Sequence, residues 1–369
     1  MTAAFKLTYI GRGAASAKHH AKQSSDRSRV EQLLADLRDK DKILVTTHID
    51  PDPDALASAI GLSYLLHVLL PDSKITTSFA GALGGGLNSV FASYSLPLYV
   101  SWSKVDLASF DAICLLDCQP AFTNSPLPPD VCPLAVIDHH PAARGKICHS
   151  PFIDVRRKVG ASCSIIYSYF SALNVAIPKD IAALMLYGIE SDLAGAAGHP
   201  GELDNTALSA LTLTADMRKL YRIRFVDLSR SYYQAYYAAM QNAVIYDHAM
   251  VSHLHNIDSP EQPAVMADFL LRYENVTWVM VSALSGKALV LSLRTTQETP
   301  HSAGSVISHI LAGIGNGGGH PTKAGGYIPL KDHKATTINQ MRNTIKRRFL
   351  AALGIRGAKP QHLITGHGH

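Results

Sequence analysis

Apolar positions along this chain come in two alternating kinds of run. Short, nearly continuous ones cover residues 43–47, 110–116 and 134–137, with the length and make-up of strands buried on both faces. Longer ones with helical spacing cover 30–37, 55–70, 162–173 and 180–189. Pro51 and Pro53 separate the first strand from its helix, which makes a strand–loop–helix unit. Repetition of that unit predicts a parallel α/β sheet, and ligands of such sheets bind beyond the carboxyl ends of the strands. Residues 203–250 read as helical throughout, with Leu208, Leu211, Leu220, Tyr233, Tyr236 and Met240 among the apolar positions. A second α/β region follows, with strands expected at 249–254, 277–284, 288–294 and 325–329.

The pattern divides the chain into a first α/β domain over 29–205, a helical connector over 206–248 and a smaller α/β domain over 249–350. Residues 1–28 are rich in Ala, Ser, Gly and Lys and are expected to be disordered. Residues 351–369 end in alternating Gly and His and are expected to be a flexible tail.

Composition narrows the function classes. A length of 369 residues fits two domains, and 47% apolar with 17% charged residues fits a chain that buries real cores. No apolar run approaches the roughly 18–20 residues that span a bilayer. Residues 1–29 lack the shape of a signal peptide. A cytoplasmic protein without a membrane partner is therefore expected. Cys114, Cys118, Cys132, Cys148 and Cys163 are odd in number and lack paired short spacings, so reduced, structural thiols are expected. The net charge of +5 suits a polyanionic substrate without demanding one. Several of the 18 histidines stand beside aspartates, which is a metal-site composition.

The chemistry-bearing residues cluster just after the expected strands or at helix ends. His48, Asp50, Asp52 and Asp54 share one Pro-stiffened loop. Imidazole with carboxylate suits a divalent ion such as manganese or magnesium, although aspartates also cap helix starts. Three carboxylates so close repel one another unless cations neutralise them. Asp117 ends the strand 110–116, and Asp138, His139 and His140 follow the strand 134–137. Glu190 and Asp192 make an acidic helix end, which opposes the helix dipole and invites a positive ion. Gly317, Gly318 and Gly319 precede His320, and backbone amides of such a turn can cradle a phosphate. Arg294 is a candidate phosphate clamp, with a surface arginine as the plain alternative.

Together these clusters resemble the DHH–DHHA1 phosphoesterase superfamily over about residues 30–350, and within it the nanoRNase/pAp-phosphatase (exopolyphosphatase-related) branch. The resemblance rests on His48 to Ala55, on Asp117, on the triplet Asp138-His139-His140, on Gly188 to Asp192, and on Gly317 to His320 with Ala324-Gly325. It implies a Rossmann-like DHH domain that binds metal, a helical connector and a DHHA1 domain that binds substrate. It implies one ion held by His48, Asp52 and Asp117 and another by Asp54, Asp117, His139 and Asp192. The two ions would be Mn2+, with Mg2+ as the alternative. His140 would contact the reacting phosphate, and Asp138 would orient a neighbouring ligand. Arg294, His320, Gly318 and Gly319 would hold a substrate phosphate. Asp50, Pro53, Ser191, Leu193 and Lys323 depart from the usual pattern at positions that are not expected ligands.

The implied activity is hydrolysis of phosphoester bonds in short RNA or DNA oligonucleotides, linear dinucleotides or bisphosphorylated nucleotides such as pAp. Pyrophosphate or polyphosphate as substrate is the nearest enzymatic alternative. A catalytically silent nucleotide sensor is the alternative of another class, although sensors tend to lose a ligand and this set is complete. A homodimer fits the reading without being required by it.

Overall fold

The computed structural model describes residues 12–81, 89–95, 99–141, 149–193, 200–257, 259, 261–296, 301–319 and 321–364, with backbone alone for 12–24 and 256. These residues divide into two compact units, the first ending at Phe225 and the second starting at Val226.

The first unit runs α1 (Arg12–Leu37), β1 (Lys42–Thr46), α2 (Pro53–Leu69), β2 (Lys74–Phe79), α3 (Ser89–Ser95), β3 (Val100–Ser101), β4 (Ala112–Leu116), β5 (Ala135–Asp138), β6 (Phe152–Val155), α4 (Ser162–Leu173), α5 (Lys179–Leu193), α6 (Glu202–Thr214) and α7 (Met217–Arg224). Its strands lie in the order β3-β2-β1-β4-β5-β6, and every pairing is parallel. Alternate residues of the central strands feed two cores. Ile43, Val45, Cys114 and Leu116 pack on one face, while Leu44, Ile113 and Leu115 pack on the other. That two-sided burial is why these strands read as unbroken apolar runs rather than as alternation. α2 is buried along nearly its whole length, between α4 and α5. The strand order reverses between β1 and β4. At such a point the chains leaving neighbouring strands diverge and open a crevice at their carboxyl ends.

α1 starts at Arg12, inside the stretch 1–28 expected to be a disordered tail. Its end is fixed by Val30, Leu33 and Leu37, which are buried in the main core. Arg27–Glu31 and Gln32–Asp36 pairs one turn apart support it locally. Arg29 and Arg156 both bind the buried Asp154, and Arg156 also pairs with Asp26, which ties α1 to β6.

The second unit runs α8 (Arg230–Gln241), β7 (Val244–Tyr246), β8 (Ala249–Asn256), α9 (Gln262–Leu270), β9 (Trp278–Ser285), β10 (Ala288–Thr295), α10 (Ala303–Leu311), β11 (Asn316–Gly319), β12 (Lys323–Pro329), α11 (Ala335–Ala352) and β13 (Gln361–His362). Its sheet has the order β11-β12-β10-β9-β8-β7-β13, parallel at β8–β9 and antiparallel at the other pairings. Trp278 and Met280 of β9 point into one core and Val279, Val281 and Ala283 into another. Three expectations change here. The stretch 203–250 is not helical throughout, because β7 interrupts it and α6 and α7 belong to the first unit while α8 belongs to the second. The tail 351–369 is held at Gln361 and His362, which pair with β7. Gly317, Gly318 and Gly319 lie in a strand paired with β12 rather than in a turn. Among the described residues, no helix is long and apolar enough to cross a membrane.

Candidate metal centre

β1 delivers the chain to a loop that carries His48 and Asp52, with Asp54 in the first turn of α2, beside the point where the strand order reverses. Backbone bonds from Ile49 to the Asn124 carbonyl (2.8 Å) and from Asp50 to the Ala80 carbonyl (3.0 Å) fix that loop. Asp52 is the N-cap of α2 and accepts the Ala55 amide at 3.0 Å, with Pro53 in the first turn. Asp54 is fully buried, and its two carboxylate oxygens accept the Ser162 amide (2.6 Å) and the Cys163 amide (2.9 Å) at the start of α4. Gly188 of α5 makes this packing feasible. A Cβ there would stand 3.0 Å from Cys163 Sγ and 3.2 Å from the Asp54 Cα.

Asp117 is the hub. It follows β4 in the left-handed backbone region, φ 53°, and is almost wholly buried. Such a conformation costs little for Asp compared with bulkier residues. Ser162 donates its hydroxyl to Oδ1 at 2.9 Å. His139 Nε2 lies 3.3 Å and His140 Nδ1 3.6 Å from the same oxygen, and His48 Nε2 lies 3.6 Å from Oδ2. His139 Nε2 also lies 3.2 Å from Asp192 Oδ2. The Asp138 carboxylate works locally. Its Oδ1 accepts the amides of His139 and His140 and bonds His140 Nδ1 at 2.8 Å, and its Oδ2 accepts the Gln119 amide at 2.6 Å.

Single donor atoms from His48, Asp52 and Asp117 lie within 4.8 Å of one another, as do those from Asp54, His139 and Asp192 and those from Asp117, His139 and His140. All seven residues therefore meet in one place. The structure also offers His140 as a donor beside Asp117, a geometry that the sequence does not distinguish from substrate contact.

The electrostatics of the set ask for positive charge. Burial, and then repulsion from Asp117 and Asp192, pushes the Asp54 pKa well above the ordinary carboxylate range. Burial would also raise Asp117, but His139, His48 and His140 outweigh it and hold it well below that range. Burial alone would lower the pKa of His139, yet the Asp117 and Asp192 carboxylates pull it up to about 12, and Asp117 and Asp52 bring His48 to about 9. Despite these neighbours, His139 Nε2 is buried without a hydrogen-bond partner. An orphaned imidazole nitrogen among carboxylates is what a divalent cation satisfies, and the oxygen and nitrogen donors suit manganese or magnesium.

The second unit gathers the other candidates. Arg294, Gly318 and Gly319 line a hollow of about 330 Å³ together with Lys323 and Ser292. Arg294 there donates to Asp268 Oδ1 at 2.7 Å, to Ser292 Oγ at 2.9 Å and to the Leu293 carbonyl at 3.1 Å. His320 lies outside the described residues. Ser162, Cys163 and Gln119 are parts of the centre that the motifs do not reveal, and the only signal for Ser162 is its place at the start of an expected helix.

The model of the DHH family's N-terminal domain matches residues 42–189. An uncharacterized protein of Methanocaldococcus jannaschii is 27% identical over 324 residues, which cover 86% of this chain and 65% of that protein. A probable manganese-dependent inorganic pyrophosphatase of Lactococcus lactis is 32% identical over 157 residues, which cover 41% of this chain and 48% of that protein. The chain thus spans just under two thirds of the first of these relatives and about half of the second. Among solved structures, an exopolyphosphatase-related protein of Bacteroides fragilis shares the fold, with a TM-score of 0.67 at 16% identity over 88% of this chain and 97% of that one. The segment 42–189 that is similar to the DHH family's N-terminal domain carries every candidate metal donor except Asp192, which lies just beyond it.

Proposed function

We propose that this chain is a two-metal phosphohydrolase that cleaves phosphoester bonds in short oligonucleotides, linear dinucleotides or bisphosphorylated nucleotides such as pAp. The observation that carries the reading is the buried Asp117 carboxylate, ringed by His48, His139 and His140 and flanked by two further donor sets. His48, Asp52 and Asp117 would hold one cation, and Asp54, Asp117, His139 and Asp192 the other, with manganese favoured over magnesium. Bound there, two divalent cations would neutralise phosphoryl oxygens and lower the pKa of an attacking water.

The chain's own groups do the rest. Ser162 and the α4 amides fix Asp117 and Asp54. Asp138, itself held by Gln119, engages His140 Nδ1, and Nε2 is then the atom assigned to protonating the leaving oxygen. Arg294, Gly318, Gly319 and His320, all within the stretch 249–350 assigned to a DHHA1 domain, are assigned to a substrate phosphate. Arg294 already meets Asp268, so a substrate phosphate would have to compete with that carboxylate. A cytoplasmic setting suits Cys114, Cys118, Cys132 and Cys163, none of which is in a disulfide. The chain is assigned no membrane partner, and a homodimer is its candidate assembly.

Pyrophosphate is the second reading. The Lactococcus lactis relative favours it, but that likeness is confined to 41% of this chain.

Hydrolysis of pAp, pApA, a five-nucleotide RNA and pyrophosphate with added Mn2+ tests both readings. We expect release of mononucleotides or phosphate from the nucleotides, reduced at least a hundredfold by Asp117→Asn. Turnover of pyrophosphate alone would move the chain to the second reading. No turnover with any divalent ion, alongside tight nucleotide binding, would make it a sensor.

A further inference from the structure

A second polar hollow, of about 320 Å³, lies within the second unit, between the β7–β8 hairpin and one face of α11. Its floor is Val244, Tyr246, Val251 and His253, and its wall is Asn339, Arg342, Asn343 and Lys346, which follow one another at helical spacing. Asn242 completes it. Among the described residues, two cations therefore line it and no carboxylate does, which is an unusual balance for a surface hollow.

The cations are held in place rather than waving in solvent. Arg342 donates to the Leu254 carbonyl at 2.6 Å, and its Nε is buried with no hydrogen-bond partner. Lys346 Nζ stands 5.9 Å from the centre of the Tyr246 ring. The neutral groups are oriented too. Asn242 donates its side-chain amide to the His253 carbonyl at 2.7 Å, and His253 Nδ1 bonds Ser282 Oγ at 2.7 Å. Burial, and then Arg342 and Lys346, push the His253 pKa down to about 3, so the ring is neutral and reports a positive local field. Other basic side chains nearby have structural work. Arg348, for example, donates to the Ile310 and Ala312 carbonyls at the end of α10.

We propose that this hollow binds a phosphate monoester the size of a mononucleotide. The phosphate sits against Arg342 and Lys346, and the rest of the ligand lies among Tyr246, Asn339 and Asn343. Positive charge without a counter-carboxylate selects an anion, and the fixed guanidinium matches phosphate oxygens. The volume is at the lower end of small-molecule sites, larger than a bare phosphate needs and too small for a strand of nucleic acid. The proposal does not depend on the reading of the metal centre.

Calorimetric titration of the full chain with 5′-AMP, in excess chelator, is the test. We expect saturable binding that weakens about tenfold in Lys346→Gln and at least as much in Asn343→Asp, which sets a negative charge beside the phosphate. Both positions are at least partly exposed, so the variants should fold, and thermal melting checks that they do. Arg347→Gln, at an exposed position of α11 outside the hollow, should bind as the parent does, and adenosine should not compete. Absence of saturable binding, binding that neither hollow variant weakens, equal loss in Arg347→Gln, or competition by adenosine equal to that of 5′-AMP would each overturn the proposal.

Discussion

At the scale of single residues, the centre depends on how firmly Asp117 is held. Its Oδ1 takes the Ser162 hydroxyl and approaches two imidazoles, so the carboxylate has little freedom to turn. Ser162→Ala removes that restraint without touching a metal donor. We expect Mn2+ affinity to fall about 10–100-fold, measured by titration, with a loss of about 1 kcal/mol in folding stability. Rescue by Ser162→Thr, which keeps the hydroxyl, would separate positioning from simple packing. The candidate donors His48, Asp52, Asp54, Asp117 and His139 are legible in the sequence because charged side chains stand out after apolar strands, and Asp192 because it stands at the end of an apolar helix. Ser162 and Gln119 are not. They are neutral, and they reach their partners across 45 and 19 positions of sequence. Only the fold brings such groups together.

At the scale of elements, the apolar runs marked the buried strands and helices well, since two-sided burial leaves no polar residue to interrupt them. The failures were where burial is partial or local preference misleads. β2 is buried only toward its end, and β11 consists largely of glycine and is exposed, so neither resembles a strand. Only the end of α1, 30–37, stands out in the sequence, because its apolar positions are confined there and its earlier turns are polar; Asp26, Arg29 and Asp154 add a charged anchorage. That anchorage carries a pH signature. Burial would raise the Asp154 pKa, but Arg156, Tyr169 and Arg29 hold it below the ordinary range. A depressed folded pKa stabilises the fold above the unfolded value of about 3.9 and loses that effect as pH falls toward the folded value. Asp154→Asn should therefore cost about 3 kcal/mol at neutral pH. The gap between parent and variant in thermal melts should narrow below about pH 4. A gap independent of pH would assign the effect to shape rather than charge.

At the scale of the whole molecule, the described residues form two units with separate cores. The donor sets all lie in the first. A cation that binds only the folded first unit stabilises it by about 2.7 kcal/mol at a hundred times its dissociation constant. Calorimetry with and without Mn2+ should move the transition of that unit up by about 5–10 °C. In Asp117→Asn the same addition should move it little. A second transition, where one is resolved, should stay in place. The strand order of this unit could not be read from the sequence, because apolar runs mark strands without saying which are neighbours.

That order has a consequence for how the protein is made. The donors around Asp117 start at His48 and end at Asp192, on segments that are neighbours in space only once both halves of the sheet are in place. A ribosome releases them one after another, so a nascent chain that has emerged as far as β5 already offers most of them, but not the last. Capture of an ion by the proposed full set would then have to wait for α5 to dock, so a loaded centre would mean that β1, β4, β5 and α5 had come together correctly.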